Sequence, residues 1–325
     1  MAVTELLPVS RADQLQARLA EERWLFNPLW GRGAAGIVGG IPKTCKSWFG
    51  LDLAISVASG TPALGRFQPE ETGPVLIYLA EDSLPEIHSR IAGYCAHRRL
   101  DIHALDVNVI TAPVLRLDLQ ADQQRLLATV EHLKPRLLLL DPLVRLHRLN
   151  ENDASDVSGL LGFLREIQRT FSLAVLLTHH QSKRVCAQPG QALRGSSDLH
   201  AFGDSNAYLA RHDDSLLLTL EHRAAPAPSP IRLKLVSHDD GSATHLEALS
   251  EPVPKNAPIP LSQRVLDALR QAQQPLPQNA LRQRLQVNNQ RLGDTLRDLE
   301  RRGTILHGED GWTLPAQPAL PFPSA

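Results

Sequence analysis

The segment Gly39-Gly40-Ile41-Pro42-Lys43-Thr44-Cys45-Lys46-Ser47 constrains the fold of this chain more than any other. The apolar run GIV leads into it, and the helical pattern KSWFGLDLAISVASG leaves it. A strand, a glycine-rich turn and Lys-Ser opening a helix together aim backbone N–H groups at phosphate, and the helix dipole favours the anion. Gly40, Lys46 and Ser47 hold the offsets of the phosphate-loop pattern GxxxxGKS/T, and Cys45 stands where the second glycine belongs. A Cβ at that position discourages the torsions and close backbone approach that glycine allows. Lys43 lies three residues before Lys46 and so does not match the extra lysine, five residues before, of the deviant version of this loop.

The pattern continues beyond the loop. VLIYLA precedes LPEIHSRIAGYCAHRRL, RLLLLD precedes ASDVSGLLGFLREIQRT, and LAVLLTHH follows. Near-continuous apolar runs alternating with helical stretches predict an α/β fold, a mostly parallel sheet covered on both faces. The later runs SNAYLARH, SLLLTLEH and IRLKLVSH, separated by turn residues, predict hairpins closing one edge of that sheet. This domain is expected over residues 36–249, after a lead-in at 1–35. Pro252, Pro254, Pro258 and Pro260 mark a linker at 250–262. Three short helical patterns and a hairpin, TILHGEDGWTL, predict a winged helix-turn-helix over 263–315, with a flexible tail at 316–325.

Composition closes off other classes. At 325 residues the chain has room for about two domains. With 42% hydrophobic and 21% charged residues it is too apolar to be disordered. No apolar run approaches the roughly 18 residues that cross a bilayer, and the N-terminus lacks a signal-peptide core. Cys45, Cys95 and Cys186 form no CxxC pair, which excludes a zinc finger and a disulfide scaffold and leads to an expected cytoplasmic location. The net charge of −1 supplies no global attraction for nucleic acid, so DNA contact has to come from a local patch.

Acids and polar groups at strand ends complete the candidate site. Leu137–Leu140 lead into Asp141, placed to hold magnesium together with Ser47. Val75–Ala80 lead into Glu81, the candidate base for water, while Asp82 or Ser83 is expected to cap the next helix. His179 and His180 end the LAVLLTHH run, where one polar side chain can sense a terminal phosphate; neighbours in an extended chain point opposite ways. Arg194, in the loop segment RGSS, is the candidate arginine finger, with Arg211 the alternative. A helix N-terminus beside Lys46 would lower the pKa of the Cys45 thiol, but no histidine partner for a nucleophile is evident, so the phosphate-loop reading stands over a nucleophilic one.

Taken in order, IPKTCKSWFGLDLAISVASG, LIYLAEDS, LLLLDPLVRLH, LLTHHQSK and LRGSSDLHAFGD resemble the RepA-type branch of RecA/DnaB-like P-loop ATPases over residues 24–248. The resemblance implies a RecA-like core that assembles as a homo-hexamer, with ATP and Mg2+ at subunit interfaces. It implies that Gly40, Ile41, Pro42, Lys43, Thr44, Cys45, Lys46, Ser47 and Trp48 surround the phosphates, with Ser47 and Asp141 on the metal. It also makes Glu81 the catalytic glutamate and His179 or His180 the sensor. In the C-terminal segment Arg282, Arg284, Arg291, Arg297, Arg301 and Arg302 suit phosphate contacts, and Asn288, Asn289, Gln290 and Arg291 open a helix suited to base edges. The expected function is an ATP-hydrolysing ring on DNA. Its alternatives are an ATP-controlled DNA-binding regulator with little or no hydrolysis, or an adaptor whose winged helix binds protein.

Overall fold

The computed structural model describes residues 7–15, 23–151, 154–181, 197–237, 243–249, 261–272, 274–285, 287–301, 304–308 and 310–314. The chain divides into two compact units, Met1–Ser250 and Glu251–Ala325.

The first unit begins with a short hairpin, β1 (Trp24–Phe26) and β2 (Trp30–Gly31). It continues through β3 (Ala35–Gly40), α1 (Lys46–Ser59), β4 (Val75–Leu79), α2 (Leu84–Arg98), β5 (Val107–Val109), α3 (Gln120–Leu133), β6 (Leu137–Asp141), α4 (Ala154–Phe171), β7 (Ala174–His180) and α5 (Ser197–Phe202). It ends with β8 (Ser205–His212), β9 (Ser215–His222), β10 (Ile231–Val236) and β11 (His245–Ala248). Nine strands form one sheet in the order β11-β10-β9-β8-β3-β7-β6-β4-β5. The pairs from β8 to β5 are parallel, and β8 to β11 run antiparallel as hairpins on one edge. The phosphate-loop strand β3 therefore lies inside the sheet, and β7 separates it from the acid-bearing β6.

Alternation along the strands feeds two apolar layers. Leu137 and Leu139 of β6 face the layer formed with Phe49, Leu53 and Ile55 of α1 and Ile87 and Ile91 of α2. Leu138 and Leu140 face the layer holding Val130 of α3 and Leu160 and Leu164 of α4. Fully burying each leucine is worth about 1.5–3 kcal/mol, so both faces of β6 favour this sandwich. Gly36 explains how β3 approaches β8: a Cβ there would sit 1.6 Å from the Ser205 carbonyl oxygen.

One expectation needs correction. Residues 24–35 are not a lead-in, because Leu25, Phe26, Leu29 and Trp30 are buried core and Trp30 Nε1 donates to the Ala34 carbonyl at 3.1 Å. Helix α1 is mostly buried. Ten of its residues are buried, including Asp52. Asp52 accepts from Arg98 Nη2 of α2 at 2.7 Å and from the Leu64 amide at 2.7 Å. Burial raises its pKa, and Arg98 and the Leu64 amide oppose that rise.

The second unit contains α6 (Leu261–Arg270), α7 (Gln278–Leu285), α8 (Asn289–Arg301) and the hairpin β12 (Leu306–Gly308)–β13 (Gly311–Thr313). Helix α6 begins inside the stretch expected as linker. Val265, Leu269, Leu281, Leu285, Leu292, Leu296 and Trp312 make a separate core. Leu276 and Trp312 exchange backbone hydrogen bonds, 2.9 Å each way, which ties the α6–α7 connection to the hairpin.

Candidate nucleotide-binding site

The loop between β3 and α1 is shaped by its own polar groups. Lys46 Nζ donates to the carbonyls of Gly40 (3.1 Å) and Ile41 (3.0 Å), and Thr44 Oγ1 donates to Ile41 at 2.8 Å. A Cβ on Gly40 would sit 2.5 Å from Thr44 Oγ1 and 2.6 Å from the Leu209 carbonyl, so the glycine keeps the loop folded against β8. Lys43 and Cys45 both take left-handed torsions, at φ 65° and 62°. Cys45 thus adopts the conformation for which glycine is favoured, and pays a strain of about 1–2 kcal/mol. It is also the N-cap of α1, yet its side chain accepts no capping hydrogen bond, and the first turn carries no acid. Those first-turn amides point toward the loop, as an anion site requires.

Sheet register brings the remaining groups to the loop. Gly40 pairs with His180, and Tyr78 and Leu79 of β4 pair with Leu140 and Asp141 of β6. Asp141, 6% exposed, accepts hydrogen bonds from the Ser47 and Thr178 hydroxyls. Burial raises the Asp141 pKa against the lowering by Ser47, Thr178 and Lys46. Burial likewise lowers the Lys46 pKa, with Asp141, Cys45 and Glu81 pulling it back up. An oxygen pair from Ser47 and Asp141 beneath a buried lysine is a hard-ligand set that suits magnesium. The glycine cradle and the uncapped amides suit a polyphosphate.

A cavity of about 510 Å³ opens here, bounded by the loop from Pro42 to Trp48 and by Glu81, Arg90, Asp141, His180 and Arg211. Gly40 and Ile41 contribute carbonyls to Lys46 rather than wall. Glu81 is half exposed and accepts from Arg145 Nε at 2.8 Å. Ser83 rather than Asp82 caps α2, in a reciprocal capping box with Glu86. Asp82 instead receives both Nη atoms of Arg90, at 2.5 and 2.9 Å, and Arg90 lies over the Trp48 ring at 5.3 Å. Arg211 Nη2 donates to the Lys43 carbonyl at 3.0 Å.

The two histidines part as strand alternation requires. His180 borders the cavity. His179 is buried outside it, with Nδ1 3.8 Å from Glu151, which also meets His147 Nε2 at 3.5 Å. Burial raises the Glu151 pKa, but His147 and His179 outweigh it and leave the carboxylate below its usual range. Of the two sensor candidates, His180 is the one that borders the cavity. Burial raises the Cys45 pKa more than Arg211 and Lys46 lower it, which also speaks against a nucleophilic thiol. Arg194 lies outside the described residues. Arg90 and Arg145 were not expected from the sequence. Arg90 carried one faint signal, in that the Ser83–Glu86 capping box fixes where α2 starts and hence which residues of its second turn face back to the loop.

This sheet and this cleft define a P-loop nucleotide-binding domain. A family model described as AAA domain matches residues 3–185, more than half of the chain, and the chain belongs to that family. Among solved structures it is similar to one described as a DnaB-like replicative helicase and its interactions with primase. That likeness has a TM-score of 0.49 and 15% identity, and it covers 63% of this chain and 56% of the other, little more than half its length. Among the described residues no helix is long and apolar enough to cross a membrane.

Proposed function

We propose that the chain binds Mg-ATP in this cleft and hydrolyses it, and that it acts on DNA as a ring-forming, RepA-type motor or remodeller in the cytoplasm. The observation that carries the reading is the meeting of the Ser47 hydroxyl and the Asp141 carboxylate under the loop that Lys46 holds. When bound, magnesium neutralises charge on the terminal phosphates. Ser47 and Asp141 would hold it, Asp141 directly or through water. The amides of the Gly40–Lys46 loop and the Lys46 ammonium would hold the phosphate oxygens. Glu81 orients and deprotonates the attacking water once its Arg145 contact yields. His180 sits where a change at the terminal phosphate would be felt by the segment after β7. Arg211 and Arg90 supply positive charge from the same chain, and Arg194 from a neighbouring subunit remains the proposed finger.

The DNA part of the reading rests on the second unit, proposed as a winged helix. Arg282, Arg284, Arg297 and Arg301 are exposed, and Asn288, Asn289 and Gln290 are exposed where α8 begins. Part of this charge is locally engaged, since Arg297 pairs with Asp294 at 2.6 Å and Arg284 donates to Gln271 at 2.7 Å.

Two observations favour a second reading. The strained Cys45 and the Glu81–Arg145 pair suit a nucleotide switch that binds ATP with little turnover. Steady-state turnover measured across protein concentration, with and without single-stranded DNA, separates the two. Turnover that rises with concentration and with DNA, and is lost in Lys46→Ala and Glu81→Gln, supports the motor. Tight binding without turnover supports the switch, and wild-type turnover in Lys46→Ala overturns the site assignment. DNA binding unchanged on removing 260–325 would favour the adaptor role for that unit.

A further inference from the structure

A second cluster of ligand-type side chains lies where the end of α2 meets the outermost strand β11. His245 and Glu247 are two apart on β11 and so share a face of the sheet, and His97 comes from the last turn of α2. The ligating atoms of the three lie within 4.8 Å of one another. The His97 and His245 rings stack at 3.3 Å between centroids, with planes 15° apart.

The hydrogen bonds of His245 set the chemistry. Its Nδ1 faces the Ala243 carbonyl at 2.7 Å, an acceptor, so Nδ1 carries the proton. Its Nε2 faces the Glu247 Oε1 at 2.9 Å, which is also an acceptor. Two acceptors meet there unless a cation lies between them, either a second proton on the ring or a metal. An Nδ1–H held by a backbone carbonyl is the arrangement that orients a histidine for metal through Nε2. His245 is buried while His97 and Glu247 are partly exposed, with side chains 30% and 41% accessible, so two of the three ligands can adjust and water can reach the site. Two donors on one zinc ion lie about 3.4 Å apart. His245 and Glu247 are already that close; for His97 to join them its stacked ring must turn so that its in-plane Nε2 lone pair meets the same ion, and its partly exposed side chain can make that turn while the 4.0 Å to Glu247 closes.

We propose that His97, His245 and Glu247 bind a divalent transition metal of the zinc class, with water completing the shell, and that the ion clips the C-terminal end of α2 to the edge strand β11. Two imidazoles and one carboxylate select such an ion over magnesium or calcium, which take oxygen ligands. The metal takes the place of the Nε2 proton. The site is separate from the nucleotide cleft, and the proposal does not depend on the reading of that cleft.

The test uses the full chain, stripped with chelator, free of nucleotide and titrated with Zn2+ alone against a chromophoric competitor. One equivalent is expected to bind and to raise the melting temperature. His97→Gln and Glu247→Gln, both at partly exposed positions, should weaken that equivalent by roughly tenfold or more and abolish the thermal shift. His103→Gln, an exposed histidine outside the cluster, should leave both unchanged. Absence of a zinc equivalent in the wild-type chain, unchanged affinity in both cluster variants, or equal loss in His103→Gln would overturn the proposal.

Discussion

Arg211 reaches back 168 residues to donate a hydrogen bond to the Lys43 carbonyl at 3.0 Å. It extends from β8, the strand beside β3, and so braces the phosphate loop from the neighbouring strand. The side chain is exposed, so this contact adds little to the fold, but it lines the cavity and places positive charge where phosphate would sit. Arg211→Ala should weaken Mg-ATP binding by about tenfold or more in a calorimetric titration, with fold stability changed little. Unaltered affinity would show that the loop holds its shape without the arginine.

The left-handed torsion of Cys45 makes an opposite forecast. Cys45→Gly should keep or raise turnover and raise stability by up to about 1 kcal/mol, because glycine takes these torsions without the Cβ clash. Cys45→Ala keeps the Cβ and should show no such gain. Denaturant midpoints of the two variants make the comparison. A large loss of turnover in both would mean that the thiol itself acts.

Asp52 and Arg98 are a buried pair joining α1 to α2, with side chains 0% and 7% exposed. Removing one partner of such a pair leaves the other charge buried and costs about 3–5 kcal/mol. Arg98→Ala should therefore lower stability by that amount in denaturant unfolding, while Asp52→Leu combined with Arg98→Met should recover much of it. A loss below about 1 kcal/mol in Arg98→Ala would contradict the assignment.

His222 ties β9 to the turn of the N-terminal hairpin. Its Nε2 donates to the Pro28 carbonyl at 2.9 Å, so Nδ1 accepts from Ser205 Oγ at 3.1 Å. Burial lowers its pKa below the ordinary 6.5, and the Pro28 contact opposes this. Between that lowered value and 6.5 the unfolded chain binds a proton that the folded chain refuses. Stability then increases with pH through this window and is lost as pH falls. His222→Gln should show a shallower pH dependence of melting temperature below 6.5 than the wild type; identical profiles would refute the assignment.

Much of the site could be read from local pattern. The loop at 39–47, Asp141 after four leucines and Glu81 after an apolar run are each a strand followed by a polar end, and parallel strands bring such ends to one edge. What stayed hidden depends on long-range register. The hairpin around Trp24 and Trp30 is too short for periodicity to reveal, yet its Leu25, Phe26, Leu29 and Trp30 are buried core. Arg90 reaches the cleft only because α2 packs over Trp48, and Arg145 only because the turn after β6 passes Glu81. Strand alternation implied that one histidine of the 179–180 pair turns away. Which one depends on the Glu151 and His147 cluster that captures His179. The torsion at Cys45 was implied by its place in the pattern, whereas the rise in its pKa followed from burial that no linear motif displays.

The central claim is that a loop with a side chain at its tightest turn still grips a triphosphate. Calorimetric titration of the folded chain with Mg-ATP tests it most directly. One site per chain with measurable heat, lost in Lys46→Ala and kept in Cys45→Gly, is the predicted result. No heat and no thermal shift from well-folded wild-type protein would contradict it.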